Sequence, residues 1–209
     1  MARPRRIYVP GLSVHVFQRG INRACIVANA SDYERLLTLI AEAAAGHGVE
    51  VHAFALMTTH YHLVVTPAAE GVLSRAMQEI NGRYTRYFNR QYGRIGTLWN
   101  ERYGAVLLHD ERYWFNCLRY VELNPLNAHI VAAPEAYRWS SYRVHALGEA
   151  CQWLTAHPLY VALGSTAETR QGAYRAMCAI PLTVAELTLQ RRPPRPRSAT
   201  AAPGLVADV

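Results

Sequence analysis

The sequence predicts an α+β protein built on a ferredoxin-like βαββαβ antiparallel sheet, with one added helix and further helices at the C-terminal end. Two observations carry this: short β-branched or alternating runs are separated by two long amphipathic runs, and their order is strand, helix, strand, strand, helix, strand. A chain of 209 residues with 51% hydrophobic and 18% charged residues can bury a core without disulfide or metal staples. Large multidomain machines and wholly disordered chains are excluded on the same grounds.

The elements follow in order. Leu12 to Gln18 alternates apolar and polar residues after Pro10-Gly11, the pattern of a half-buried strand. Ser31 is the expected N-cap of a helix carrying Leu36, Leu37, Leu39, Ile40 and Ala43, stopped by Gly46 and Gly48. Val49 to Met57 and Tyr61 to Thr66 then form a hairpin around Thr58-Thr59, closed by Pro67. From Gly71 to about Tyr92, the set Leu73, Ala76, Met77, Ile80, Tyr84, Tyr87 and Phe88 has helical spacing, and Gly93 ends it. Ala105 to His109 is the last strand. Glu111 to Leu123 is the added amphipathic helix, stopped at Asn124-Pro125.

Beyond Trp139-Ser140-Ser141, helices are expected at Gln152 to Leu163 and at Ala167 to Ile180. The division is therefore a domain over 1–145, a helical appendage over 146–185, and a disordered Arg/Pro-rich tail over 186–209.

All 22 basic residues are Arg; against 15 acids they leave a net charge of +7. Guanidinium is a planar fork suited to phosphate, so a polyanion is the expected partner. No apolar run approaches the ~18 residues of a membrane span, and the N-terminal Arg-rich stretch lacks a signal-peptide core, so no membrane role and a cytoplasmic location are expected. Cys25, Cys117, Cys151 and Cys178 are scattered without a C-x-x-C pair, which predicts reduced, mostly buried thiols.

The chemistry concentrates in a few places. His60 and His62 lie at i and i+2 on a strand, so both imidazoles emerge from one face and can hold a divalent cation, though a third ligand must come from elsewhere. Otherwise one is a hydrogen-bonded strand residue and the other faces water. Tyr120 and Asn124 point together, one turn apart on the added helix. If that helix crosses the sheet, Asn124 could complete a metal shell while the Tyr120 hydroxyl approaches a bound substrate. On spacing alone the plainer reading is favoured, with Tyr120 a boundary residue and Asn124 a cap before Pro125. Arg83, Arg86, Arg90 and Arg94 recur along the second long helix with Tyr84, Tyr87 and Tyr92 between them, a combination that suits single-stranded nucleic acid as well as a solvated helix face.

Four ordered blocks carry a family resemblance: Phe54-Ala-Leu-Met-Thr-Thr-His60-Tyr-His62-Leu, Tyr92-Gly-Arg-Ile-Gly-Thr-Leu-Trp99-Asn-Glu-Arg102-Tyr, Arg119-Tyr120-Val-Glu-Leu-Asn124-Pro125 and Trp139-Ser-Ser-Tyr142. Together they resemble the single-strand tyrosine transposases with a His-hydrophobe-His motif, the IS200-like HUH/Y1 enzymes. Pro10-Gly11, Val14-His15-Val16 and Arg19-Gly20 match the branch associated with repetitive extragenic palindromes (REP). The resemblance spans roughly residues 5 to 145.

It implies cleavage and rejoining of single-stranded DNA near REP-type hairpins through a 5′-phosphotyrosine link, with Tyr120 as nucleophile. Mg²⁺ or Mn²⁺ would be held by His60, His62 and Asn124, in a monomer or homodimer. The position of Asn124 is often Gln in more distant relatives, Thr59 replaces a frequent Asn, and His129 replaces a frequent Gly. DNA contacts are expected from Arg5, Arg6, Arg83, Arg86, Arg90, Arg94 and Arg102. The alternative is a noncatalytic regulator that binds structured nucleic acid on the same fold. A two-histidine phosphoesterase ranks last, because no second His-x-Ser/Thr motif exists.

Overall fold

The computed structural model describes residues 9–191, with side chains as far as Leu187. Its elements are β1 (Val14–Arg19), α1 (Ala30–His47), β2 (Val49–Leu56), β3 (His60–Pro67), α2 (Val72–Gln91), β4 (Gly104–Leu107), α3 (Glu111–Glu122), α4 (Asn124–Asn127), α5 (Tyr142–Leu147), α6 (Pro158–Val161), α7 (Ala167–Cys178) and α8 (Val184–Arg191). The strands form one sheet of order β2-β3-β1-β4 in which every neighbouring pair is antiparallel. The expected βαββαβ sheet is the observed one.

Period-two alternation makes this sheet the middle of three layers. Val14, Val16, Tyr61, Leu63 and Val65 pack under α1 and α2. Ala53, Ala55, Val64 and Val106 pack against α3. His15, Phe17 and His62 lie between those residues in sequence and therefore emerge on the α3 side.

Several elements differ from the sequence reading. The N-cap of α1 is Asn29 rather than Ser31, in a reciprocal capping box with Asp32. Asp32 Oδ2 accepts from the Ala28 amide at 2.7 Å and is buried, so the cap has an anchor that Ser31 lacks. Helix α3 ends at Glu122 with Leu123 as its C-cap, where the Asn124-Pro125 stop was expected, but Pro125 then begins a further short helix. It occupies the first turn of α4, where its missing N–H costs nothing.

The helix expected over Gln152–Leu163 shrinks to α6 because the preceding segment is tied along the sheet. The Thr155 amide donates to the Val51 carbonyl at 2.8 Å, and Trp153 stacks on Phe54 at 5.2 Å. At the other end α8 runs into the segment read as a disordered tail from 186, stabilised by Glu186 accepting from the Thr183 amide at 2.9 Å. The remainder of that tail, and Arg5 and Arg6, lie outside the described residues.

The four thiols are free, but only Cys117 is buried and Cys25 is exposed; the scattered spacing carried no information about burial. No described helix is long and apolar enough to cross a membrane.

Candidate active site

The register of β1 against β3 builds the site. Phe17 lies opposite His62 and Arg19 opposite His60, so one face of this strand pair carries both imidazoles, an aromatic ring and a guanidinium. Gly104 lies opposite Phe17 on β4, and a Cβ there would run into the Phe17 ring. The glycine therefore leaves the space in which Phe17 packs 6.2 Å from His62.

Helix α3 crosses this face on Trp114, Leu118 and Val121 and brings Tyr120 to within 5.5 Å of the His62 ring, centroid to centroid. After the break at Leu123, Asn124 opens α4 with its amide Nδ2 donating to His62 Nε2 at 3.3 Å. His60 and His62 sit edge to face at 5.0 Å. His60, His62, Tyr120 and Asn124 thus line one cavity of about 710 Å³, together with Arg19, Arg23 and Asn127.

Burial holds His62 well below the usual imidazole range, and the neighbouring His15, His60 and Arg19 add to this. Burial, with Arg19 beside it, lowers His60 to about 4. Both rings are neutral at pH 7, the form that ligates metal. His60 Nδ1 is held by the Thr59 hydroxyl at 3.0 Å and His62 Nδ1 by His15 Nε2 at 2.9 Å, so Nε2 is the nitrogen of each ring that remains for a ligand, that of His62 meeting the Asn124 amide. Among the described residues no three His, Cys, Asp or Glu side chains are grouped to hold a metal. A cation here would take the place of the Asn124 N–H on His62 Nε2 and rest on two imidazoles and the Asn124 amide oxygen, a donor set that fits a divalent ion with several coordination positions left for substrate oxygen.

The arginines divide. Arg19 and Arg23 are in the cavity; Arg23 is brought there by a tight turn over Ile21–Arg23 in which Asn22 and Arg23 have φ of 50° and 60°. Gly20 opens that turn, and a Cβ on it would run into the Ala24 carbonyl oxygen. Arg102 lines an adjoining cavity of about 230 Å³ with His60, His62 and Asn100. This leads, through shared lining residues Gln18, Asn100, Glu101 and Arg102, into a third of about 1130 Å³ beside the start of α2.

Arg83, Arg86 and Arg90 are on α2, across the sheet from the histidines. Arg83 is paired with Glu42 at 2.7 Å and Glu79 at 2.9 Å, and Arg94 lies over the Phe88 ring at 5.6 Å. The interleaved tyrosines are not a stacking surface. Tyr84 is buried and donates to the Ile26 carbonyl, while Tyr87 and Tyr92 donate to Asp32 at 2.9 and 2.6 Å. Residues missed from the sequence are Arg23, Asn127 and the roles of His15 and Arg19. The alternation along β1 put His15 and Arg19 on one face, but only strand pairing showed which.

Fold and site together define an α+β protein in which a four-stranded antiparallel sheet carries a His-x-His pair and a crossing helix delivers a tyrosine to it. Residues 8–124, more than half of the chain, match the family described as transposase IS200-like, and the chain belongs to that family. No curated protein matches it.

Among solved structures, a REP-associated tyrosine transposase bound to a REP hairpin is similar in fold, with 17% identity, TM-score 0.59, and 76% of this chain and 93% of that chain covered. A putative transposase from Deinococcus radiodurans matches with 17% identity, TM-score 0.41, and coverage of 62% and 95%. The tRNA(His) guanylyltransferase of Saccharomyces cerevisiae matches with 10% identity, TM-score 0.45, and coverage of 85% and 82%.

Proposed function

We propose that this transposase cuts and rejoins single-stranded DNA beside a REP-type hairpin, using Tyr120 as nucleophile and a divalent cation held by His60, His62 and Asn124. The observation that carries the reading is the meeting of two segments distant in sequence: the Tyr120 ring lies 5.5 Å from His62, in the cavity that also contains His60 and Asn124.

The Tyr120 hydroxyl gives up its proton as its oxygen attacks the phosphorus, the bond from phosphorus to the 3′ oxygen breaks, and that oxygen takes up a proton and leaves as a 3′-hydroxyl. A 5′-phosphotyrosine remains. Attack by a 3′-hydroxyl on this link reverses the exchange, one phosphoester replacing another, so no nucleotide energy source is needed. Bound Mg²⁺ or Mn²⁺ would offset the charge of a nonbridging phosphate oxygen as the five-coordinate state forms. Arg19 and Arg23 neutralise the phosphates entering the cavity, and the adjoining cavities past Arg102 give the strand a polar path toward the start of α2.

The test is incubation of the protein with Mn²⁺ and single-stranded oligonucleotides that contain palindromes. A covalent protein–DNA adduct is expected with wild type and none with Tyr120→Phe, whose DNA binding is retained. Binding without any adduct across such substrates would support the noncatalytic reading instead.

A further inference from the structure

A third histidine lies behind the pair. His15 is on β1 and has no measurable exposure; its ring is 5.1 Å from His62 and 5.9 Å from Tyr120. Its Nε2 meets His62 Nδ1 at 2.9 Å, and its Nδ1 is buried with no hydrogen-bond partner among the described residues. A neutral imidazole has one donor and one acceptor nitrogen, so the bond between His15 Nε2 and His62 Nδ1 fixes the role of the other nitrogen on each ring. A histidine kept only as core filling would have both nitrogens satisfied or be replaced by an apolar residue, because an unpartnered buried polar atom is destabilising.

The tautomers of the two rings are coupled. A cation at His62 Nε2 needs a lone pair there, and so does the Asn124 amide that donates to it at 3.3 Å. The His62 proton must then be on Nδ1, where it can only be donated to His15 Nε2. That makes His15 Nε2 the acceptor and moves the proton of His15 to the unpartnered Nδ1. The opposite arrangement protonates His62 Nε2 and closes it to metal. We propose that His15 is a positioning residue that accepts the His62 Nδ1 proton and thereby presents His62 Nε2 to the cation; this rests on the metal-site reading above. It does for His62 what the Thr59 hydroxyl does for His60, and partners of this kind orient ligating imidazoles and raise their basicity.

The test is titration with Mn²⁺ alone, read by loss of the free-ion electron paramagnetic resonance signal, on wild type, His15→Phe and His15→Gln. Removing such a partner weakens metal binding about 10- to 100-fold. That loss is expected in His15→Phe, with recovery in His15→Gln, whose amide oxygen can accept. Hairpin binding in EDTA, unchanged in all three, shows that the fold is intact. ¹⁵N spectra of Mg²⁺-loaded wild type, which need no variant, are expected to show His62 protonated on Nδ1. Equal Mn²⁺ affinity in His15→Phe, or a His62 without an Nδ1 proton, overturns the role of His15 while the metal site stands. Failure of wild type to bind Mn²⁺ overturns both.

Discussion

Charge at single residues separates two faces of this protein. Arg19 and Arg23 line the cavity of the candidate nucleophile, whereas Arg86 and Arg90 lie on the far layer beside Arg35. If the scissile strand enters the cavity, replacing Arg19 and Arg23 by Ala should reduce the salt dependence of hairpin binding by about one counterion for each phosphate that is no longer neutralised. The Arg86→Ala, Arg90→Ala pair should leave the salt slope unchanged. A slope flattened by the second pair instead would place a length of DNA on the α2 side. The regular spacing of these arginines along a helix, and the i,i+4 relation of Arg83 to Glu79, were visible in the sequence; the Arg83–Glu42 bridge and the burial of Tyr84 were not, because both depend on other segments packing alongside.

At the scale of elements, α3 is held to the C-terminal helices by a buried carboxylate. Glu122 is fully buried; its Oε1 accepts from Ser141 and contacts His145 Nδ1 at 2.6 Å, and its Oε2 accepts from the Tyr174 hydroxyl at 2.6 Å. Tyr160 adds a bond to the His145 carbonyl at 2.8 Å. The appendage therefore packs into the same core as the helix that carries Tyr120. Tyr174→Phe leaves a carboxylate oxygen without its partner and should cost about 1–3 kcal/mol by urea unfolding. Arg112→Ala removes an exposed pair to Glu186 at 3.2 Å and should cost under about 1 kcal/mol. A similar loss in both variants would show that the Glu122 network carries little stability.

Over the whole molecule the buried and half-buried histidines set a pH dependence. His15 is lowered to about 3, His60 and His157 to about 4, and His52 is lowered as well, with burial the leading cause each time. All are neutral in the folded state, while in the unfolded chain they titrate near 6.5. Below that value the unfolded state binds more protons. The stabilisation is therefore complete above about pH 6.5 and is lost as pH falls through 4 and toward 3. The Tm should begin to drop below pH 6.5, before the carboxylates titrate, and a His157→Gln variant should show a shallower drop. A flat Tm between pH 6.5 and 5 would refute this.

The sequence by itself determined the sheet, its strand order class and the shared face of His60 and His62, because period-two and helical spacing are local properties that strand and helix geometry convert directly into faces. It also determined that Tyr120 and Asn124 point together from neighbouring turns. Only the tertiary structure decided that α3 crosses the sheet over those histidines, that His15 sits behind His62, and that Arg19 and Arg23 rather than the α2 row share the site. The physical reason is the same in each case. Register between strands and packing between layers are set by side chains distant in sequence, and no spacing along one segment encodes what a second segment brings to it.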